Sequence, residues 1–125
     1  IKNDKGDGCV EISKSKNKKI IIPVTIKKSG LYTLHFKYSN GNGPVNTENK
    51  CAIRTLKLDG KFAGTLVFPQ RGTSEWSNWG NTNDIQFHAV KGKHRIELVF
   101  EPQNENMNGE INQAMIDVMR LYHLK

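Results

Sequence analysis

Hydrophobic and polar positions alternate along most of this chain. The pattern is clearest in residues 31–38, L-Y-T-L-H-F-K-Y, where Tyr32, Leu34, Phe36 and Tyr38 fall on one face and Thr33, His35 and Lys37 on the other. Similar runs at 9–12, 20–26, 51–58, 62–68, 84–90, 94–100 and 114–124 predict about eight short strands. Ser29-Gly30, Asp59-Gly60 and Lys91-Gly92 supply turns between them, and Asp59-Gly60 is a strong tight-turn signal. Only Gln113 to Leu121 has some helical appeal. Its Ile116, Val118 and Leu121 fit either period, and its length and neighbours favour a strand. Many short strands without a helical period predict an all-β fold, a two-sheet antiparallel β-sandwich, in one domain.

Three polar segments interrupt the strands. Residues 39–50 and 101–112 are rich in Asn and Gly, and loops of that size in a compact domain tend to carry function. The third, E-W-S-N-W-G-N-T-N at 75–83, holds two tryptophans three residues apart. Large rings normally hide in cores. A ring held out on a polar loop offers a flat apolar face that suits the C–H face of a pyranose. Trp76 is either such a platform or a core plug, and its polar neighbours Glu75, Ser77 and Asn78 favour exposure. Trp79 leads into Ile85 and Phe87 and is expected in the core.

Composition narrows the function classes. Nineteen Lys and Arg against twelve Asp and Glu give a formal net charge of +7 over 125 residues, which favours an anionic partner. Lys14, Lys16, Lys18, Lys19, Lys27 and Lys28 cluster early, and a solvated face that guards an edge strand is the plainer account of them. These lysines do not interleave with aromatics as a base-stacking platform requires, so nucleic acid is not an expected partner. No run approaches the roughly 18 apolar residues that span a bilayer, so membrane insertion is not expected. Cys9 and Cys51 form no metal motif and are expected as buried free thiols, while the four histidines lack ligand spacing. The loop carboxylates Glu75, Asp84, Glu101, Glu105 and Glu110 show no pairing of the kind a glycosidase needs, and no Ser-His-Asp or Cys-His set is suggested. The chain is therefore not expected to be an enzyme. Ile1 in place of an initiator Met suggests that residues 1–125 are a domain cut from a longer protein.

A few polar residues need explaining. Arg54 shares strand parity with Ala52, Leu56 and Leu58, so it points toward the apolar face and must find a partner there. That partner is either an internal carboxylate, Asp59 or Asp117, or a ligand hydroxyl or carboxylate gripped by the guanidinium fork. Asn106, Asn108 and Asn112 offer amides suited to sugar hydroxyls, or serve as turn formers. Asp117 lies within an apolar strand, where a carboxylate is costly without a partner.

Five segments in order resemble carbohydrate-binding modules of the family 6 and family 35 type, which are galactose-binding-like jelly rolls. They are S-G-L-Y-T-L-H-F-K-Y-S-N-G (29–41), R-T-L-K-L-D-G (54–60), E-W-S-N-W (75–79), K-G-K-H-R-I-E-L (91–98) and M-I-D-V-M-R-L (115–121). The resemblance implies a loop-end sugar site built on Trp76 and Arg54, with Tyr38, Asn40, Asn106, Asn108 and Asn112 beside them. It also implies a structural Ca²⁺ at Asp117, for which Glu11 and backbone carbonyls are the other suppliers. The chain departs from the family pattern at Gly8-Cys9, where relatives carry an aromatic, and at Asn112, which lies five residues ahead of Asp117. The implied function is a non-catalytic module of a bacterial protein that is secreted, periplasmic or on the cell surface. It would target an appended polysaccharide-degrading catalytic domain to a polysaccharide or oligosaccharide, and the net charge with Arg54 points to an acidic one. The alternative is a structural accessory domain that packs against the catalytic domain and binds no sugar.

Overall fold

The computed structural model describes residues 10–43, 51–74, 76–106 and 111–125. Among these described residues, nine strands form two antiparallel sheets: β1 (Val10–Ile12), β2 (Lys19–Ile26), β3 (Gly30–Ser39), β4 (Ala52–Leu58), β5 (Lys61–Phe68), β6 (Gly80–Asn81), β7 (Ile85–Ala89), β8 (Gly92–Val99) and β9 (Ala114–His123). One sheet runs β1-β9-β3-β6, with β7 also pairing β3, and the other runs β2-β8-β4-β5. The expected sandwich is present. The alternating runs became strands within a residue or two of their expected bounds, and the two-residue β6 is an addition that no apolar run announces.

The inward faces interdigitate as the alternation requires. Leu34, Phe36 and Tyr38 of β3 meet Leu56 of β4, Leu66 and Phe68 of β5, and Ile96 and Leu98 of β8 in one buried cluster. Phe68 takes the edge of the Tyr38 ring at 5.4 Å between centroids, a favourable aromatic geometry. The open edge of β5 is covered by a side chain. The Asn83 amide accepts from Val67 N–H and donates to Thr65 C=O, both at 2.9 Å, imitating a neighbouring strand.

The ambiguous run at 113–121 is a strand with a bulge. Lys37 pairs with Val118 and Tyr38 with Ile116, so Asp117 is an extra residue on β9. Ala114 and Ile116 face the core before the bulge, and Met119 and Leu121 pack against it afterwards. The switch of parity explains how Ile116 and Leu121, five residues apart, both reach the core.

Short turns gather at one end of the sandwich. There, His94 Nδ1 lies 2.6 Å from Asp59 Oδ2 and Nε2 lies 2.6 Å from the Val90 carbonyl oxygen. Two acceptors on one ring call for an imidazolium that donates to both. The hydrogen bond to Asp59 holds the His94 pKa above its ordinary 6.5, and the same bond holds Asp59 below 3.8. The His94 contribution to stability is therefore complete below about pH 6.5 and is lost as pH rises through the raised value. The Asp59 contribution is present above 3.8 and is lost as pH falls through its depressed value. Thermal melts across pH should show an alkaline decline in the wild type that His94→Asn removes. An identical decline in the variant would show that the imidazolium bridge does not stabilise the fold.

Candidate functional site

The long connections all lie at the opposite end. Those between β1 and β2, β3 and β4, β5 and β6, and β8 and β9 leave the sandwich on one side, as the strand registers require. Every predicted ligand-binding residue among the described ones belongs to this end. Asn108 falls outside the described residues.

Arg54 is wholly buried. Its Nη1 donates to Asn112 Oδ1 at 2.6 Å and to Ile53 C=O at 2.7 Å. Its Nη2 donates to Asn112 C=O at 3.0 Å and to Ser13 C=O at 3.1 Å. The Phe100 ring lies 4.8 Å from the guanidinium carbon, within cation–π range. The partner is thus neither Asp59 nor Asp117 but a neutral amide and three backbone carbonyls. Burial lowers its pKa to about 10, so it stays charged at neutral pH. With the fork spent inside the protein, Arg54 presents nothing to a ligand in this structure. It ties β4 of one sheet to the segments that follow β1 and precede β9 in the other.

The predicted amides also turn inward. Asn112 accepts from Ile53 N–H at 2.8 Å and donates to Asn104 C=O at 2.7 Å. Asn106 donates to the carbonyls of Cys51 and Ile111, both at 2.6 Å. Asn40 is buried and donates to Phe68 C=O at 2.9 Å, while its Oδ1 accepts from the Asn42 side chain at 2.8 Å. Tyr38 is buried too, and its hydroxyl donates to Pro69 C=O at 2.8 Å. Each of these groups holds one loop to another and forms the floor of the loop end. Cys51 carries a free, half-buried thiol whose pKa burial raises, and Cys9 lies outside the described residues.

Trp76 stands apart from this floor. It is half-buried in a turn of the β5–β6 connection, between the exposed Ser77 on one side and the exposed Ser74 two residues back. That connection is zipped to the start of the β3–β4 loop by backbone bonds. Arg71 N–H donates to Asn40 C=O at 2.8 Å, Gly72 N–H to Gly43 C=O at 3.1 Å, and Ser74 N–H to Gly41 C=O at 2.7 Å. The next loop joins on through Asn42, whose Nδ2 donates to Gln113 C=O at 3.0 Å. Beyond Gln113, a depression of about 300 Å³ is lined by Glu11, Ser13, Lys14, Lys16, Asn112 and Gln113 among others. The loop end is thus one hydrogen-bonded polar surface with a tryptophan at one side. Arg71, Asn42 and Gln113 escaped notice in the sequence because each lies in a polar run with nothing to set it apart. Trp79, expected in the core, is instead half-buried, with the Lys37 ammonium 5.8 Å from its ring centroid.

The two proposed metal ligands are occupied. Asp117 faces Lys37 Nζ at 3.5 Å. Glu11 accepts from Gln113 Nε2 at 2.5 Å and lies 3.5 Å from Lys16 Nζ. Calcium takes six to eight oxygens, and no group of three or more His, Cys, Asp or Glu able to hold a metal exists among the described residues. Among the early lysines, Lys14 pairs with Glu105 at 2.8 Å and Lys19 lies 3.5 Å from Glu97. A part-exposed pair such as Lys14–Glu105 adds little stability. Truncating Arg54 would remove four hydrogen bonds, two of them buried, so Arg54→Ala should lower unfolding free energy by about 3 kcal/mol. Urea denaturation measures this, and a loss near zero would show that the knot does not hold the sheets.

Comparison with known proteins follows the same lines. No protein-family model matches the chain. It is 32% identical over 117 residues, 94% of its length, to a cycloisomaltooligosaccharide glucanotransferase of Niallia circulans. The chain spans 11% of that relative and 10% of a second transferase of the same name. A Paenibacillus sp. cycloisomaltooligosaccharide glucanotransferase complexed with cycloisomaltoheptaose superposes with a TM-score of 0.60 at 24% identity, covering 79% of this chain and 12% of that one. A family 35 carbohydrate-binding module from Clostridium thermocellum superposes with a TM-score of 0.62 at 18% identity, covering 85% of this chain and 70% of that one. No helix among the described residues is long and apolar enough to cross a membrane. The chain has the fold of a carbohydrate-binding module of the family 35 type.

Proposed function

We propose that this chain is a non-catalytic module that binds isomaltooligosaccharide, the α-1,6-linked glucose chain, at its loop end, with Trp76 as the platform. It would hold an attached glucan-processing domain on its polymer, raising effective concentration without chemistry of its own. The observation that carries this reading is the Trp76 loop, a half-exposed indole on backbone anchored to a neighbouring loop at three points. Likeness to two transferases named for cycloisomaltooligosaccharides supports the choice of sugar. The burial of Arg54 supports it as well, because the one group expected to select a carboxylate is spent inside the fold. The net charge of +7 would then supply only a weak, salt-screened attraction to acidic polymers.

Isothermal titration with isomaltoheptaose, and affinity electrophoresis in dextran, should show binding that Trp76→Ala abolishes while the melting temperature is kept. Selective, salt-resistant binding to a polyuronate in place of dextran would overturn the neutral-sugar reading. Failure to bind any polysaccharide would favour a structural accessory domain.

A further inference from the structure

We infer that Arg71 is a positioning residue for sugar recognition: it clasps the loop that carries Trp76 and holds the indole in its binding orientation. The inference rests on the platform reading above. It starts from a reciprocal pair of hydrogen bonds across the loop. Arg71 Nε donates to Asn78 C=O at 3.1 Å and Nη2 approaches Asn78 Oδ1 at 3.4 Å. In return, Asn78 Nδ2 donates to Arg71 C=O at 3.0 Å. Trp76 lies within the loop so closed, two residues from Asn78. Ser74, two residues to the other side, has φ of 61° and donates its N–H to Gly41 C=O. Left-handed backbone at a serine is an uncommon conformation that surrounding contacts must hold. The indole is thus flanked on both sides by anchored backbone.

The clasp has a fitted seat. The guanidinium lies directly over the Cα of Gly80, where a Cβ would come within 2.4 Å of Nη1, 2.5 Å of Cζ and 2.8 Å of Nε. Gly80 is held in register with Tyr38 on β3, so the seat belongs to the sheet and not to the loop. Arg71 also lies near enough to Tyr38 for its charge to act on the phenol. Burial raises the Tyr38 pKa, and the charge and hydrogen bond of Arg71 oppose that rise. One side chain therefore links the sheet, the base of the loop and the far side of the loop. A lysine lacks the planar array of donors that makes this possible. Fixing a platform before the sugar arrives reduces the ordering cost of binding, which is where such a residue acts on affinity.

Gly80→Ala offers a clean way to open the clasp. The nearest atoms to the added methyl are the far end of a flexible side chain, so the guanidinium must shift. Arg71→Ala and Gly80→Ala should each weaken isomaltoheptaose binding about tenfold, as lost preorganisation does, with little change in melting temperature. In a Trp79→Phe background the emission reports Trp76 alone, because the chain has two tryptophans. Acrylamide quenching should rise in both variants. If quenching is unchanged in both, Arg71 does not hold the loop and the inference fails, whatever the affinity. If Trp76→Ala abolishes binding while both clasp variants bind as the wild type does, the platform stands and the clasp falls. If Trp76→Ala still binds fully, the platform reading falls and the positioning role falls with it.

Discussion

The loop end of this sandwich depends on one buried cation. Arg54 projects from β4 into the space between the sheets, where an unpaired charge would be prohibitive. It is tolerated because four well-placed oxygens surround its fork and an aromatic face lies alongside. All four acceptors are neutral, so charge–dipole bonds carry the interaction and no carboxylate is spent. The same bonds set the path of the segments that leave β1 and enter β9 on the other sheet. Asn112 relays the constraint onward to Ile53 and Asn104, and the short 3₁₀ turn at Pro102–Asn104 is seated on Thr55 through the Asn104 side chain.

From that knot the polar residues of the loop end divide into two kinds. Asn40, Asn106, Asn112 and Tyr38 bond to backbone in neighbouring loops, so amides and a phenol that resemble sugar ligands in sequence act as mortar between connections. Such groups must be paired once buried, and loops that cross the end of a sandwich offer many backbone acceptors. Beside this floor lie a half-buried tryptophan and the rim of a polar depression. The nearby cations Lys14 and Lys16 face carboxylates.

The two ends of the molecule use charge differently. At the short-turn end, His94 joins the Asp59-Gly60 turn to the turn that follows β7, and the bridge responds to pH because its ring must carry two protons. At the loop end the central charge belongs to an arginine, which stays charged at neutral pH. The loop end therefore lies apart from the titration that the opposite end undergoes.

The alternation of residues 31–38 and the Gly-marked turns by themselves determined the sandwich, because side-chain period and turn chemistry are local properties written over a few residues. They also determined that Arg54 points inward and that Trp76 sits on a polar loop. Tertiary structure decided who meets whom. The acceptor of Arg54 lies 58 residues away, and no local pattern distinguishes Asn112 from the other asparagines around it. The bulge at Asp117 is invisible until β9 is laid beside β3, since only pairing shows that one residue is surplus. Arg71 and Gly80 are nine residues apart with no periodic relation, and their contact exists because a loop returns to the edge of a sheet. Local spacing could name the candidate ligands, but long-range burial turned most of them into scaffold and left Trp76 half-buried beside them.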